Sequence, residues 1–278
     1  LLPDETLSGL INQDALTTAD GKIVRAYNLA YPSMSLMKDL MILELALDYD
    51  PDLIVWPVTL QSFPDKIQAE TPLVANNPDR VMALIDLFDL PLEIETSAFV
   101  QPAFWDRTLI GRRRAILDAL QLQFYGLMWA ATGIDQTYPS DYTPAQRDFA
   151  ADEDTFMGWE PGTLSADELA VGILDAGALL APNTPILVVN EPILISQGEN
   201  SDIRYNFFYP RWAYDQYREL LAERADIAGW NYFDLWDSVP EDAVPKDAFT
   251  NSAVHLTPAG VQTYYDALKP ALQAFLSP

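Results

Sequence analysis

Cysteine is absent from the 278 residues, and histidine occurs once, at His255. Without thiols there is no disulfide, no thiolate metal site and no cysteine nucleophile. One imidazole excludes a histidine-built metal centre and routes any imidazole acid–base step through a single ring. Positive charge is scarce too. Sixteen Lys and Arg stand against 41 Asp and Glu, a net charge of −25. A field of that sign repels phosphate backbones and anionic head groups, which excludes nucleic acid as a partner. No apolar run reaches membrane-spanning length, because the longest, 115–131, is broken by Asp118, Gln121 and Gln123. Nothing calls for a cofactor or a metal, since Asp152-Glu153-Asp154 lacks the spacing of a calcium loop.

What is present suits a packed core: 49% of residues are hydrophobic and 12% aromatic, which excludes a disordered chain. Ile23–Ala30 reads as a short strand after the turn pair Asp20-Gly21, and 34–48 carries apolar residues at helical spacing. Pro51-Asp52 opens the continuous apolar run Leu53–Trp56, and Pro185–Asn190 repeats that signature. Such runs mark strands buried on both faces. Helices are expected over 165–180, opened by the capping-box pattern Ser165 to Glu168, over 207–225 and over 258–275, with a strand at 230–234. Alternating strands and helices predict an α/β fold with a doubly wound parallel sheet. Residues 61–164 interrupt the rhythm. They read as a helical insertion between the third and fourth strands, a lid over the sheet's carboxyl edge, within one domain spanning 1–278.

In such a sheet the residues just past the strand ends face the ligand crevice. Those positions include Asp4-Glu5, Asn28–Ser35, Thr59–Ser62, Asn190-Glu191, Asp234–Asp237 and the loop that carries His255. Here the chain resembles the SGNH (GDSL-type) hydrolases, in particular their extracytoplasmic branch concerned with cell-surface acylation and deacylation. Phe249-Thr-Asn-Ser-Ala-Val-His255-Leu-Thr-Pro-Ala-Gly260 is similar to the family's last block, and Asn28–Ser35 to its second. Pro51–Val55 resembles the strand before the third. The resemblance implies a three-layer flavodoxin-like sheet, a triad histidine at His255, and oxyanion or crevice roles around Asn28, Ser33, Gln61, Asn190 and Glu191.

The departures bear on activity. Glu5 stands where the family carries its serine, Gln61 where Asn is usual, and Ser252, with Asn251 before it, where the triad acid belongs. Asn in that role neither fixes the imidazole tautomer nor stabilises an imidazolium. A Glu5–His255 contact reads as a structural pair or as a repurposed acid/base pair. Ser8, one helical turn beyond Glu5, is the substitute nucleophile. Glu191 reads either as a solvated or Arg204-paired carboxylate or as half of an acid/base pair with Glu5.

Two further features admit alternatives. The eleven aromatics from Tyr205 to Trp236 are core residues or a stacking platform for sugar or protein. Arg112-Arg113-Arg114 before the run 115–131 describes a helix lying in a membrane interface. The other reading is an insertion helix that covers the sheet, its arginines paired to the protein's own carboxylates. Leu1–Asp4 reads as a strand tail, which predicts a leader or anchor upstream and an extracytoplasmic location. Two functions stay open: a degenerate, non-catalytic binding or assembly subunit with envelope proteins or surface carbohydrate as partners, and an active carbohydrate-ester hydrolase or O-acyltransferase that uses His255 with a non-standard nucleophile.

Overall fold

The computed structural model describes residues 2–31, 33–92, 94–100, 103–132, 155–192, 211–238 and 258–276. Among them are three strands, β1 (Ile54–Val58), β2 (Ile186–Asn190) and β3 (Asn231–Asp234), in one parallel sheet of order β1-β2-β3. Ile54 is aligned with Ile186, and Leu187 with Asn231. The buried runs read from the sequence are these strands. Ile54 N donates to Pro185 O (3.0 Å) and Glu191 N to Val58 O (2.9 Å), so the even residues of β1 face β2. The missing N–H of Pro57 therefore falls on the outer edge, where it costs no ladder bond.

Among the described residues eight α-helices accompany the sheet: α1 (Leu7–Gln13), α2 (Leu36–Ala46), α3 (Pro72–Ala75), α4 (Pro78–Phe88), α5 (Arg113–Thr132), α6 (Gly172–Leu180), α7 (Arg211–Ala228) and α8 (Pro258–Leu276). Side chains alternate across a strand, so each face builds its own core. Trp56, Val58 and Val188 pack with Leu36, Leu40, Ile173 and Tyr217 of α2, α6 and α7. Leu187 and Val189 pack with Ile11 of α1 and with Tyr264 and Leu268 of α8. Gly177 lets α6 approach the sheet, since a Cβ there would stand 2.5 Å from the Trp56 ring. Within 61–164, α3 and α4 add Val74, Val81, Leu84 and Ile85 to the first core.

Three expectations are corrected. Residues 23–30 form no strand of the sheet. Ile23 makes a single antiparallel bridge to Thr17, and Val24 N donates to Leu16 O. The Ala26 N–H and C=O are both taken by the Asn12 carboxamide, at 2.8 and 2.9 Å, so a side chain of α1 occupies the groups a ladder would use. The capping box at Ser165 exists, with Ser165 N donating to Glu168 Oε2 (3.0 Å), but it closes a short 3₁₀ turn, and α6 starts only at Gly172. Finally, α5 does not cover the sheet. Every side chain from Arg112 to Met128 is exposed, and none of the three arginines forms an ion pair among the described residues.

Candidate functional site

The strands run parallel, so Val58, Asn190 and Asp234 end on one edge of the sheet. Helices α1 and α8 lie side by side in the same direction. Asp14 accepts from Tyr265 Oη and pairs with Lys269, and Ala19 N donates to Leu276 O further along. The turn Pro3–Glu5 therefore sits at the start of α8, against which it packs, and that start also packs on the turn Trp236–Ser238 after β3. The opening acidic segment and the first turn of α8 thus share the carboxyl edge. His255 and Asn251, with Ser252, lie outside the described residues.

At Glu5 the carboxylate is already engaged: Oε2 accepts the Leu2 N–H at 2.7 Å and closes the turn before α1. Thr6 caps α1 by accepting from Gly9 N (3.1 Å), and Ser8 Oγ shares a hydrogen bond with Thr6 Oγ1 at 3.2 Å. Gly9 is needed here, because a Cβ would come 2.3 Å from Pro3 O. Ser8 is thereby a first-turn residue tied to the cap.

The segments read as the second and third blocks meet at the start of α2. Ser35 caps α2 through Lys38 N and donates to Gln68 O at 3.0 Å. Gln68, fully buried, accepts from Met37 N (3.0 Å) and donates to Ser62 O (2.9 Å) and Pro64 O (3.0 Å). Lys38, also buried, donates to Tyr31 O (3.1 Å) and Ser33 O (2.8 Å) while pairing with Asp39 at 2.9 Å. Ser33 is exposed with φ +74°, a left-handed conformation favoured by glycine. Asn28 is exposed and accepts from Ala30 N (2.8 Å), and Gln61 is half-buried in the 3₁₀ turn after β1. Gln68 and Lys38 escaped the sequence reading. One polar residue in a mixed stretch gives no periodic signal of burial.

Past β2, Asn190 and Glu191 differ sharply. Asn190 is buried, and its carboxamide donates to Asp234 Oδ1 (2.8 Å) and accepts from Tyr217 Oη (3.2 Å). Asp234 also accepts from Trp236 N (3.0 Å) and from Arg218 Nε (2.9 Å), and Arg218 reaches Asp237 at 2.9 Å. This network ties β2, β3 and α7 together. Glu191 is partly accessible at its surface yet ringed by protein, and burial, with the nearby Asp39 carboxylate, pushes its carboxyl up to about 7. Burial likewise raises Asp39 against the opposing pull of Lys38. Tyr264 of α8 is buried beside Glu191 with no hydrogen-bond partner for its hydroxyl among the described residues, and burial and Glu191 raise that phenol. A carboxyl poised near neutrality can donate or accept a proton, the one acid–base competence seen among the described residues of this edge. Arg204, its expected partner, lies outside the described residues.

No protein-family model matches the chain, and no curated protein matches it. Among the described residues no group of three or more acidic or histidine side chains could hold a metal, and no helix is long and apolar enough to cross a membrane. Of the aromatic cluster, Tyr214, Tyr217 and Trp236 are core, and Trp212, Trp230, Tyr232 and Phe233 pack against it. Tyr205, Phe207, Phe208 and Tyr209 lie outside the described residues.

Proposed function

We propose that this chain is an SGNH hydrolase-like domain of three-layer, flavodoxin-like design. It works outside the cytoplasm as a non-catalytic binding or assembly subunit, with envelope proteins or surface carbohydrate as partners. The supporting observation is the state of Glu5: the residue at the family's serine position is a carboxylate spent on the Leu2 N–H. A carboxylate there gives no stable acyl-enzyme, because its attack on an ester makes an anhydride. The substitute, Ser8, is engaged with the cap of α1, and the sequence carries Asn251 and Ser252 where the family has its triad acid. Parallel strands, helices on both faces and a polar carboxyl edge agree with the family design.

One observation favours the second reading, an active carbohydrate-ester hydrolase or O-acyltransferase. Glu191, at about 7, supplies a proton-transferring group to the same edge. A single measurement separates the two. The purified chain is expected to hydrolyse p-nitrophenyl acetate at the rate of buffer alone. Turnover abolished by His255→Ala would overturn the non-catalytic reading, and loss with Ser8→Ala or Glu191→Gln would name the partner group.

A further inference from the structure

Two polar side chains meet at the carboxyl edge without partners among the described residues. Glu191 N donates to Val58 O at 2.9 Å, which carries the β1–β2 ladder one residue past Asn190. Side chains alternate along a strand, so Glu191 follows Leu187 and Val189 on the face covered by α1 and α8. Tyr264 of α8 packs its ring into that same core and is only 4% exposed, and its hydroxyl has no hydrogen-bond partner among the described residues. Glu191 keeps some access to solvent. The cations of this edge are spent. Lys38 directs its three N–H groups to Tyr31 O, Ser33 O and Asp39, and Arg218 holds Asp234 and Asp237. Asp39 of α2 and Tyr217 of α7, whose phenol donates to Asn190, also face Glu191, and neither supplies it a positive charge.

What the two groups lack defines what they can take. Burial and Asp39 oppose the charge of Glu191, so its carboxylate calls for a cation. Burial and Glu191 keep the Tyr264 phenol protonated, so it has an O–H to donate. The complement of both is an ammonium beside an acceptor oxygen. We propose that Glu191 and Tyr264 form a binding site for an amino sugar, the carboxylate accepting from its ammonium and the phenol donating to the hydroxyl oxygen on the neighbouring carbon. A 2-amino-2-deoxy sugar carries those two groups on adjacent carbons. A divalent metal is a poorer occupant, because no group of three or more acidic or histidine side chains among the described residues could hold one. The lysine of a protein partner brings an ammonium without a hydroxyl and leaves the buried phenol unmatched. The net charge of −25 favours the approach of a cation. The site rests on the proposed function in taking surface carbohydrate as the partner, and it holds whether or not the edge is catalytic.

The test uses the full chain at pH 6.5, with protonated glucosamine as the probe. Titration calorimetry is expected to show glucosamine bound, and N-acetylglucosamine and n-butylamine bound at least about tenfold more weakly. In carboxyl-carbon NMR of glutamate-labelled protein, the resonance that Glu191→Gln removes is expected to move to its ionised position as glucosamine is added, because the ammonium compensates the charge. Glu191→Gln is expected to weaken glucosamine binding about tenfold or more, and Tyr264→Phe to bind glucosamine and n-butylamine alike. Each variant removes an opposed or unmatched polar group, so each is expected to fold at least as well as the parent. No binding of glucosamine, or equal binding of N-acetylglucosamine, overturns the proposal. Equal binding of n-butylamine by the parent assigns the site to a lysine of a protein partner and overturns the amino sugar. Glucosamine binding together with turnover of p-nitrophenyl acetate supports the site and sinks the non-catalytic reading alone.

Discussion

Replacing Glu191 by Gln isolates the one carboxyl whose ionisation the fold opposes. In the unfolded chain this group titrates near 4.5, and in the folded protein near 7. Between those values the native state holds a proton that the unfolded state has lost, so stability falls as pH rises. The glutamate's handicap is absent below about pH 4.5 and complete above pH 7. A gap of two to three pH units corresponds to about 3 kcal/mol, and partial access of solvent to Glu191 reduces this to about 1–3 kcal/mol. Gln keeps the shape and neutrality of the protonated acid. The variant should therefore match the parent at pH 4.5 and exceed it by about 1–3 kcal/mol at pH 8. Asp39, Tyr217 and Tyr264 face the group, and Asp39, itself raised by burial, is the one carboxyl among them. Relief of its repulsion acts in the same direction. Urea unfolding of both proteins at pH 4.5, 6 and 8 measures the difference, and the other carboxylates cancel in the subtraction. A difference that stays flat across this range, or a variant less stable at pH 8, would refute the placement of Glu191 in a desolvated carboxyl environment.

Gln68→Leu should cost about 2–4 kcal/mol in urea unfolding, because it orphans the Met37 N–H and the carbonyls of Ser62 and Pro64 in the interior. A loss under 1 kcal/mol would show that this network is not what joins α2 to the turn after β1. Two Gly→Ala substitutions in helices should move the melting temperature in opposite directions. At Gly177 the added methyl meets Trp56 at 2.5 Å and Leu43 at 3.2 Å, and overpacking of about 1–3 kcal/mol outweighs the better helix propensity. At Gly126 nothing lies within 4 Å, so the propensity gain of about 1 kcal/mol should appear as a higher melting temperature.

The fold was legible where burial writes itself into composition. Leu53–Trp56 and Ile186–Val189 are continuous apolar runs because both faces of β1 and β2 are covered by helices. Residues 23–30 carry similar strand-forming types, yet propensity supplies no hydrogen-bonding neighbour. Asn12 satisfies Ala26 before any ladder can. Helix α5 reads as a helix from periodicity, but periodicity cannot say what an apolar face touches. Its exposure is a fact of tertiary structure alone.

At the carboxyl edge the sequence identified candidate residues without distinguishing those whose polar groups are already satisfied. Asn190 and Glu191 are adjacent and equally polar, and both follow a buried strand. The structure gives Asn190 two side-chain partners and makes it a lock between β2, β3 and α7. The next side chain falls among Asp39, Tyr217 and Tyr264, where its charge is opposed. The same division separates Asp234, held by Arg218, from Tyr264, whose buried hydroxyl is unmatched. A satisfied polar group stabilises the fold and has little left to offer a ligand. An opposed or unmatched one stores free energy that binding or proton transfer can release. On that physical ground Glu191 and Tyr264, rather than Asn190 and Asp234, are the described positions on this edge whose polar groups the fold leaves opposed or unmatched.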